Sequence, residues 1–392
     1  MALDTQEVED KTPLRILVVE LAHIGDFVVS TSVIGALKEA FPDSLIVAVV
    51  IKESKDLAEL CPYIDIVEVY DYKGEHKGLR GWLDIVGRLR RYNFDLGVAT
   101  NFSFREGILL YLAGCKERVA SPTQGRGIFL TQKSQYIPRE VMFGFNSDFA
   151  FDSMSLIRAK VLEPLGIKKV PYPRLVVPEA LKDSVYERFL SKSVSPIFSI
   201  GLSGDGTLKR WGIKKWKLLI DKIYHHYGGS FLLIGSPKES LYGEALEKIT
   251  VSSINTAGRT SIKEFIALLS FADLHIGVDA GPLHVASALG KRCVALFGPT
   301  NPFRWAPFAP PRMVRAVYKF FPCSPCYYRS RPCFEVKPYG VRPCMSSISV
   351  EDVFKEIKEQ VMAIRTEDRS KNEWAKKASS SLLPERTTQP NS

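Results

Sequence analysis

Short apolar segments and longer amphipathic segments alternate along the first part of the chain. Residues 15–20 and 45–51 are apolar and rich in β-branched side chains, whereas 27–40, between them, has helical spacing and stops at Phe-Pro-Asp. A strand, a helix and a strand in this order predict two parallel strands joined by a crossover helix. The alternation continues through strand 64–69, helix 81–92, strand 96–99 and helix 105–113.

The pattern restarts after a proline-containing linker at 168–178, a composition typical of a domain boundary. The elements predicted beyond it are helix 179–191, strand 197–202, helix 215–227, strand 231–235, helix 262–271, strand 274–278, helix 282–289 and strand 293–297. Each half is therefore predicted to be a doubly wound α/β unit. In such units ligands bind at the carboxyl ends of the strands, which here would face an interdomain cleft.

These segments define a domain map. We expect a flexible N-terminal tail at 1–13, a first Rossmann-like domain at 14–178 and a second one at 179–349. An amphipathic helix is expected at 350–365, and the polar residues 366–392 are expected to be disordered.

The composition of the chain is that of a soluble globular protein. The 392 residues are 45% hydrophobic and 24% charged, close to the average for soluble globular proteins. No apolar run reaches the roughly 18–20 residues of a membrane span, and the polar N-terminus lacks the features of a secretory signal, so we expect a cytoplasmic protein.

The net charge of +10 is concentrated at 71–140 and 309–345. This excess favours an anionic partner: nucleic acid, an anionic membrane surface or a phosphorylated ligand. No nucleic-acid-binding signature accompanies it, so nucleic acid is not expected. A solvated basic face without special function remains an alternative.

The segment 272–302, ADLHIGVDAGPLHVASALGKRCVALFGPTNP, carries the sharpest chemical signal. A buried strand is predicted to end at Asp279, Ala280-Gly281 forms a tight turn, and Pro282 takes the first position of a helix. The free N–H groups of that helix form an anion site beside His284 and Thr300. Taken singly, Asp279 could be a helix cap and His284 a surface histidine.

This string, D-A-G-P-L-H with FGPTNP downstream, resembles the donor-site signature of the ADP-heptose:lipopolysaccharide heptosyltransferases, glycosyltransferase family 9. The opening ILVVELAHIGDFVVSTSVIGALKEAFP resembles the first strand, loop and helix of that family. The resemblance implies two facing Rossmann-like domains in the GT-B arrangement, with the acceptor bound by the first and the nucleotide sugar by the second. It also implies inversion at the anomeric carbon without a catalytic metal.

Several residues are expected to bind the donor: Lys209, Asp279, Ala280, Gly281, His284, Thr300 and Glu239. Lys209 follows a glycine-containing loop, where a lysine supplies a point charge against a diphosphate. Glu239 is placed to bond the ribose or the sugar, but a role as a helix cap or surface residue is an equal alternative. Ala280 departs from the threonine that is usual in the family, and Ala99-Thr100-Asn101 departs from its usual acceptor-side motif.

Asp26 is the candidate general base. It closes the loop between the first strand and the first helix, so its carboxylate is expected to face the cleft and take the proton of the acceptor hydroxyl. The alternative is that Asp26 caps a helix beginning at Phe27. Arg105, Arg118 and Arg126 are the candidate contacts to an anionic acceptor.

Four of the seven cysteines, Cys323, Cys326, Cys333 and Cys344, lie close together in sequence. Four thiolates can form a tetrahedral structural zinc site, and an unmetallated surface motif is the alternative.

The leading hypothesis is an inverting glycosyltransferase that moves a heptose or related sugar from an ADP-sugar to a lipopolysaccharide-core or related anionic glycolipid. The basic surface would also contact an anionic membrane peripherally. The alternatives are the same fold with another nucleotide-sugar donor or acceptor, and a nucleotide-sugar-binding protein without catalysis.

Overall fold

Two parallel β-sheets form the framework of the protein. The structure, a computed structural model, describes residues 13–137, 152–202, 208–326, 333 and 341–380, with side chains up to residue 367. The elements of the first half are β1 (Arg15–Glu20), α1 (Ile24–Ala40), β2 (Leu45–Val50), α2 (Lys55–Ala58), β3 (Ile66–Val69), α3 (Gly78–Arg90), β4 (Leu96–Ala99), α4 (Phe104–Leu112), β5 (Glu117–Ala120), β6 (Gln132–Lys133) and α5 (Met154–Ala159).

The second half repeats the alternation. Its elements are α6 (Glu179–Val185), β7 (Ile197–Gly201), α7 (Ile213–Tyr227), β8 (Ser230–Ile234), α8 (Ser240–Glu247), β9 (Ser253–Asn255), α9 (Ile262–Phe271), β10 (Leu274–Val278), α10 (Gly281–Ala288), β11 (Arg292–Phe297), α11 (Pro302–Trp305), β12 (Val314–Tyr318), α12 (Pro343–Ser346) and α13 (Val350–Ser380).

Within the described residues, each sheet has six parallel strands, in the order β3-β2-β1-β4-β5-β6 in the first half and β12-β11-β10-β7-β8-β9 in the second. The strand order changes direction between β1 and β4, and again between β7 and β10. Ligands of open α/β sheets bind outside the carboxyl ends of the strands at such switch points. In this chain those ends carry Glu20 and Thr100 in the first sheet and Leu202 and Asp279 in the second.

The predicted α/β class is confirmed, and strands β1, β4 and β10 coincide with the predicted ranges. Elements that are short or begin with polar residues, such as β5, β6, α5, β9 and β12, were not predicted, because their apolar positions are too few to establish a period. The expected C-terminal boundary at 365 is wrong. Helix α13 continues to Ser380, while 381–392 and the tail 1–12 lie outside the described residues.

The linker between the two halves is tied to both of them. The Arg174 N–H donates to Thr31 Oγ1 of α1 at 3.3 Å. The Leu175 N–H donates to the Ala288 carbonyl of the second half at 3.0 Å. The Val176 N–H donates to the Leu60 carbonyl of the first half at 2.9 Å. Apolar side chains of both sheets also form one continuous core. The carboxyl ends of the two sheets are thus held in a defined relation.

Across the described residues, no helix combines the length and apolar character needed to cross a membrane.

Candidate active site

Asp26 lies in the first turn of α1, and its carboxylate is oriented by an arginine. The helix begins at Ile24 with His23 as N-cap, three residues earlier than predicted, so the alternative in which Asp26 caps a helix beginning at Phe27 is wrong. Asp26 Oδ1 instead accepts a hydrogen bond of 2.6 Å from Arg158 Nη2. The Asp26 side chain is 32% exposed and therefore accessible from solvent.

The start of α1 contacts the start of α10, across the junction of the two halves. A Cβ atom added to Gly25 would lie 3.6 Å from Gly281 Cα and 3.7 Å from His284 Cδ2. Because the two helix starts are this close, Asp26 lies near the Asp279–His284 segment, and its charge acts on the pKa of His284. Both helices also direct the positive ends of their dipoles to this region, where an anion would be stabilised.

Lys209 and Asp279 form a buried ion pair at the carboxyl end of β10. Lys209 Nζ lies 3.1 Å from Asp279 Oδ2 and donates to the Asp279 carbonyl at 2.7 Å. His284 Nε2 is 4.0 Å from Asp279 Oδ1. Burial lowers the pKa of His284, although Asp279 and Asp26 act in the opposite direction. The imidazole is therefore neutral at neutral pH and can donate one hydrogen bond and accept another.

Two buried polar atoms near the end of β11 have no hydrogen-bond partner among the described residues: Thr300 Oγ1 and Asn301 Nδ2. The residues are only 2% and 4% exposed. Buried polar groups in folded proteins are nearly always bonded to protein, water or ligand. Their presence in the FGPTNP segment fits a site that is completed by a polar ligand.

Glu239 acts as a capping residue. Its Oε2 accepts a hydrogen bond of 2.8 Å from the Ser236 N–H, and the Ser236 hydroxyl caps the following turn in return. This corresponds to the capping alternative for Glu239.

The three candidate acceptor arginines differ in accessibility. Arg105 is exposed at the start of α4, with its guanidinium 4.7 Å from the Tyr72 ring centroid. The expectation for Arg126 is wrong, because it is fully buried and bonds the Ser121 and Ser103 carbonyls and Glu106.

Arg118 is half-buried, and its role as an acceptor contact stays a prediction. Its guanidinium donates to the Cys115 and Phe129 carbonyls at 2.6 Å each. Arg126 therefore stabilises the fold of the first half, Arg118 does so with part of its guanidinium, and Arg105 is the most exposed of the three.

A buried ionic network, absent from the sequence prediction, lies behind Asp26. Glu20, at the end of β1, and Glu106, at the start of α4, are both fully buried. Burial raises the pKa of Glu20, and burial together with the Glu20 charge raises the pKa of Glu106 to about 8. Arg158 bonds Glu20 Oε2 at 2.8 Å. The sequence signal was Glu20 itself, a carboxylate ending an otherwise apolar strand.

Among the four late cysteines, Cys344 is buried and Cys323 is exposed. Burial raises the pKa of Cys344 to about 11, and the Cys326, Cys323 and Cys333 thiols contribute to the shift. In the part of the chain that the structure describes, no three His, Cys, Asp or Glu side chains are grouped closely enough to hold a metal ion.

Comparison with known proteins agrees with this geometry. Residues 82–334 match glycosyltransferase family 9 (heptosyltransferase). The lipopolysaccharide core heptosyltransferase OpsX of Haemophilus influenzae is 25% identical over 317 residues, which cover 79% of this chain and 86% of that protein. Lipopolysaccharide heptosyltransferase 2 of Escherichia coli K12 is 26% identical, covering 78% and 88%.

Solved structures establish the fold as two Rossmann-like domains in the GT-B arrangement. The E. coli ADP-heptose lps heptosyltransferase II superimposes with a TM-score of 0.71 at 18% identity, covering 89% of this chain and 99% of that one. A family 9 glycosyl transferase from Veillonella parvula gives 0.74 at 20% identity, covering 89% and 98%. With its family match and its two-domain fold, the chain belongs to glycosyltransferase family 9, the heptosyltransferase family, and is a glycosyltransferase.

Proposed function

We propose that the protein transfers a heptose, with inversion, from ADP-heptose to an anionic lipopolysaccharide-core acceptor. The observation that carries this proposal is the contact between the starts of α1 and α10, which brings Asp26 to the Asp279–His284 segment. A carboxylate on one domain then faces an anion site on the other, as an inverting transfer requires. Relatives named as lipopolysaccharide heptosyltransferases, and solved relatives bound to ADP or an ADP-heptose analogue, support the choice of sugar and nucleotide.

The donor diphosphate would lie at the start of α10. The N–H groups at Ala280 and Gly281 and the neutral His284 supply hydrogen bonds, and Lys209 supplies a positive charge beside Asp279. Thr300 Oγ1 has the unmet bonding capacity that a phosphate oxygen would satisfy. Glu239 is assigned to the ribose, which requires that it exchange part of its capping interaction.

In the transfer step, Asp26 would take the proton of the acceptor hydroxyl while the hydroxyl oxygen bonds to the anomeric carbon from the face opposite the diphosphate. The bond between that carbon and the diphosphate oxygen breaks, and ADP leaves with the electron pair. The charge that develops on ADP is stabilised by Lys209 and the α10 dipole. These groups provide the electrostatic stabilisation that the leaving diphosphate needs.

The acceptor side would be built on the rim of the first sheet. Arg105 is exposed there beside Tyr72, and Lys73 Nζ lies 5.4 Å from the same ring centroid. This pair of cations supports recognition of a phosphate or carboxylate on the glycolipid. The same basic rim supports a peripheral contact with the anionic cytoplasmic face of a membrane, and hence a cytoplasmic location.

A transfer assay tests this function. Purified protein with ADP-heptose and a heptose-free lipopolysaccharide core is expected to release ADP and extend the glycolipid, and the acceptor KM should rise steeply with salt because exposed charges are screened. Release from another nucleotide sugar, but not from ADP-heptose, would favour the alternative donor. Stabilisation by ADP-heptose without transfer to any core acceptor would favour the non-catalytic binding protein.

We also propose that Cys323, Cys326, Cys333 and Cys344 hold a structural zinc, whose binding would draw the four thiolates closer together than they lie in this structure. A set of four thiolates suits tetrahedral Zn²⁺, and metal binding would offset the cost of ionising the buried Cys344 thiol. Metal analysis is expected to find about one zinc per chain, and chelation should lower the melting temperature. Metal-free protein in which all four thiols titrate freely would contradict this proposal.

A further inference from the structure

Arg158 bonds Asp26 at both its carboxylate and its backbone. Its Nη2 donates to Asp26 Oδ1 at 2.6 Å, and its Nη1 donates to the main-chain carbonyl of Asp26 at 2.9 Å. One planar guanidinium therefore fixes both the carboxylate and the backbone of the same residue. Oδ2 makes no hydrogen bond within the described residues, so it is the oxygen left available to the cleft.

Glu20 and Ser30 hold the guanidinium of Arg158 in place on the side away from the Asp26 carboxylate. Nη1 also lies 2.8 Å from Glu20 Oε2 and 2.6 Å from Ser30 Oγ, so its two N–H groups are shared among three acceptors, and Glu20 Oε2 accepts from Thr100 Oγ1 at 2.5 Å. The Arg158 side chain is only 3% exposed. Burial opposes its charge, but Glu20, Asp26 and Glu106 outweigh that effect and raise its pKa, so Arg158 stays positive.

We propose that Arg158 is a positioning residue for catalysis, which orients Asp26 so that Oδ2 receives the proton of the acceptor hydroxyl. Glu20 holds the guanidinium in the orientation in which it bonds Asp26. Its carboxylate accepts from Arg158, from Thr100 after β4 and from Ser30 of α1. This inference rests on the proposed role of Asp26 as the base. The proposed role of Arg158 also explains why a carboxylate, Glu20, is fully buried without touching the ligand site: it holds Arg158 in place.

The test is a double-mutant cycle on ADP release from ADP-heptose with a heptose-free lipopolysaccharide core. Lysine keeps the charge of Arg158 but cannot bond Oδ1, the carbonyl and Glu20 from one planar group. We expect Arg158→Lys to lower kcat roughly ten- to a hundredfold, because small misplacements of a catalytic group have effects of this size. The donor KM and the rise in melting temperature caused by ADP should not change.

In the Asp26→Asn background, Arg158→Lys is expected to cause no further loss of kcat, since there is no base left to position. Arg126→Lys is the matched control: Arg126 is equally buried and bonds Glu106, but it does not touch Asp26. It is expected to lower the melting temperature and leave kcat near normal. Should Arg158→Lys fold poorly, Ser30→Ala removes one guanidinium contact and should give a smaller loss of kcat with the same dependence on Asp26.

Three outcomes would overturn the inference. Normal kcat in Arg158→Lys, or an equal fractional loss with and without Asp26, would leave Arg158 a structural residue while the proposed function stands. Absence of ADP release from the unaltered protein would remove the proposed function and this inference with it.

Discussion

Asp26→Asn is expected to lower kcat by roughly a hundred- to ten-thousandfold, the contribution typical of general base catalysis. Asparagine has nearly the same shape, and its amide oxygen can accept the bond from Arg158 Nη2 that Oδ1 accepts now. It cannot take a proton at neutral pH. Folding and ADP binding should therefore persist while transfer is lost.

The measurement is turnover and melting temperature of the same preparation. Asp43→Asn, at the exposed turn beyond the other end of α1, provides the matched control for the change of charge and should leave turnover unaltered. Near-normal turnover of Asp26→Asn would assign the base to another residue. A collapse of the melting temperature with the loss of turnover would instead indicate a role in the buried ionic network.

Lys209→Met is expected to have the largest effect on stability. It keeps most of the side-chain length but leaves the buried Asp279 carboxylate without its cation, a change that typically costs about 3–5 kcal/mol. It should also abolish the stabilisation by ADP, which for an intact site is about 2.7 kcal/mol at a ligand concentration one hundred times Kd.

A second variant separates these two effects. Lys209→Met combined with Asp279→Asn removes the uncompensated charge, so stability should recover in part while the response to ADP stays absent. Lys222→Met, at a half-buried lysine paired with the exposed Glu351, is the control and should change the free energy of unfolding by about 1 kcal/mol or less. A full response to ADP in the double variant would place the diphosphate away from Lys209.

For the second domain, more of the candidate residues chosen from the sequence lie together in the structure than for the first. Asp279, Gly281 and His284 lie close together in sequence, across the end of β10 and the first turn of α10, so local rules for strand ends and helix starts are sufficient to group them. Lys209 approaches Asp279 from a separate loop, and its placement followed from the strand-loop-helix order. Short-range patterns and the resemblance to the family pointed to the same residues.

Arg126 and Arg158 show where such reasoning stops. Both are arginines in segments with weak periodicity, and their partners, Glu106 and Glu20, lie 20 and 138 positions away. A charged side chain in a loop or short helix is usually exposed, so local patterns predict Arg126 at the surface and give no reason to single out Arg158. Their burial depends on how α1, α4 and α5 pack together, which no local pattern encodes.

The close contact between Gly25 and Gly281 joins the two halves of the proposed active site. The proposed base and acceptor surface belong to one half of the chain, and the proposed nucleotide site belongs to the other. At this contact the helix starts approach to within van der Waals distance of a Cβ atom. Donor and acceptor preference can therefore diverge separately during evolution, and exchange of whole halves between related enzymes is feasible if both positions stay small.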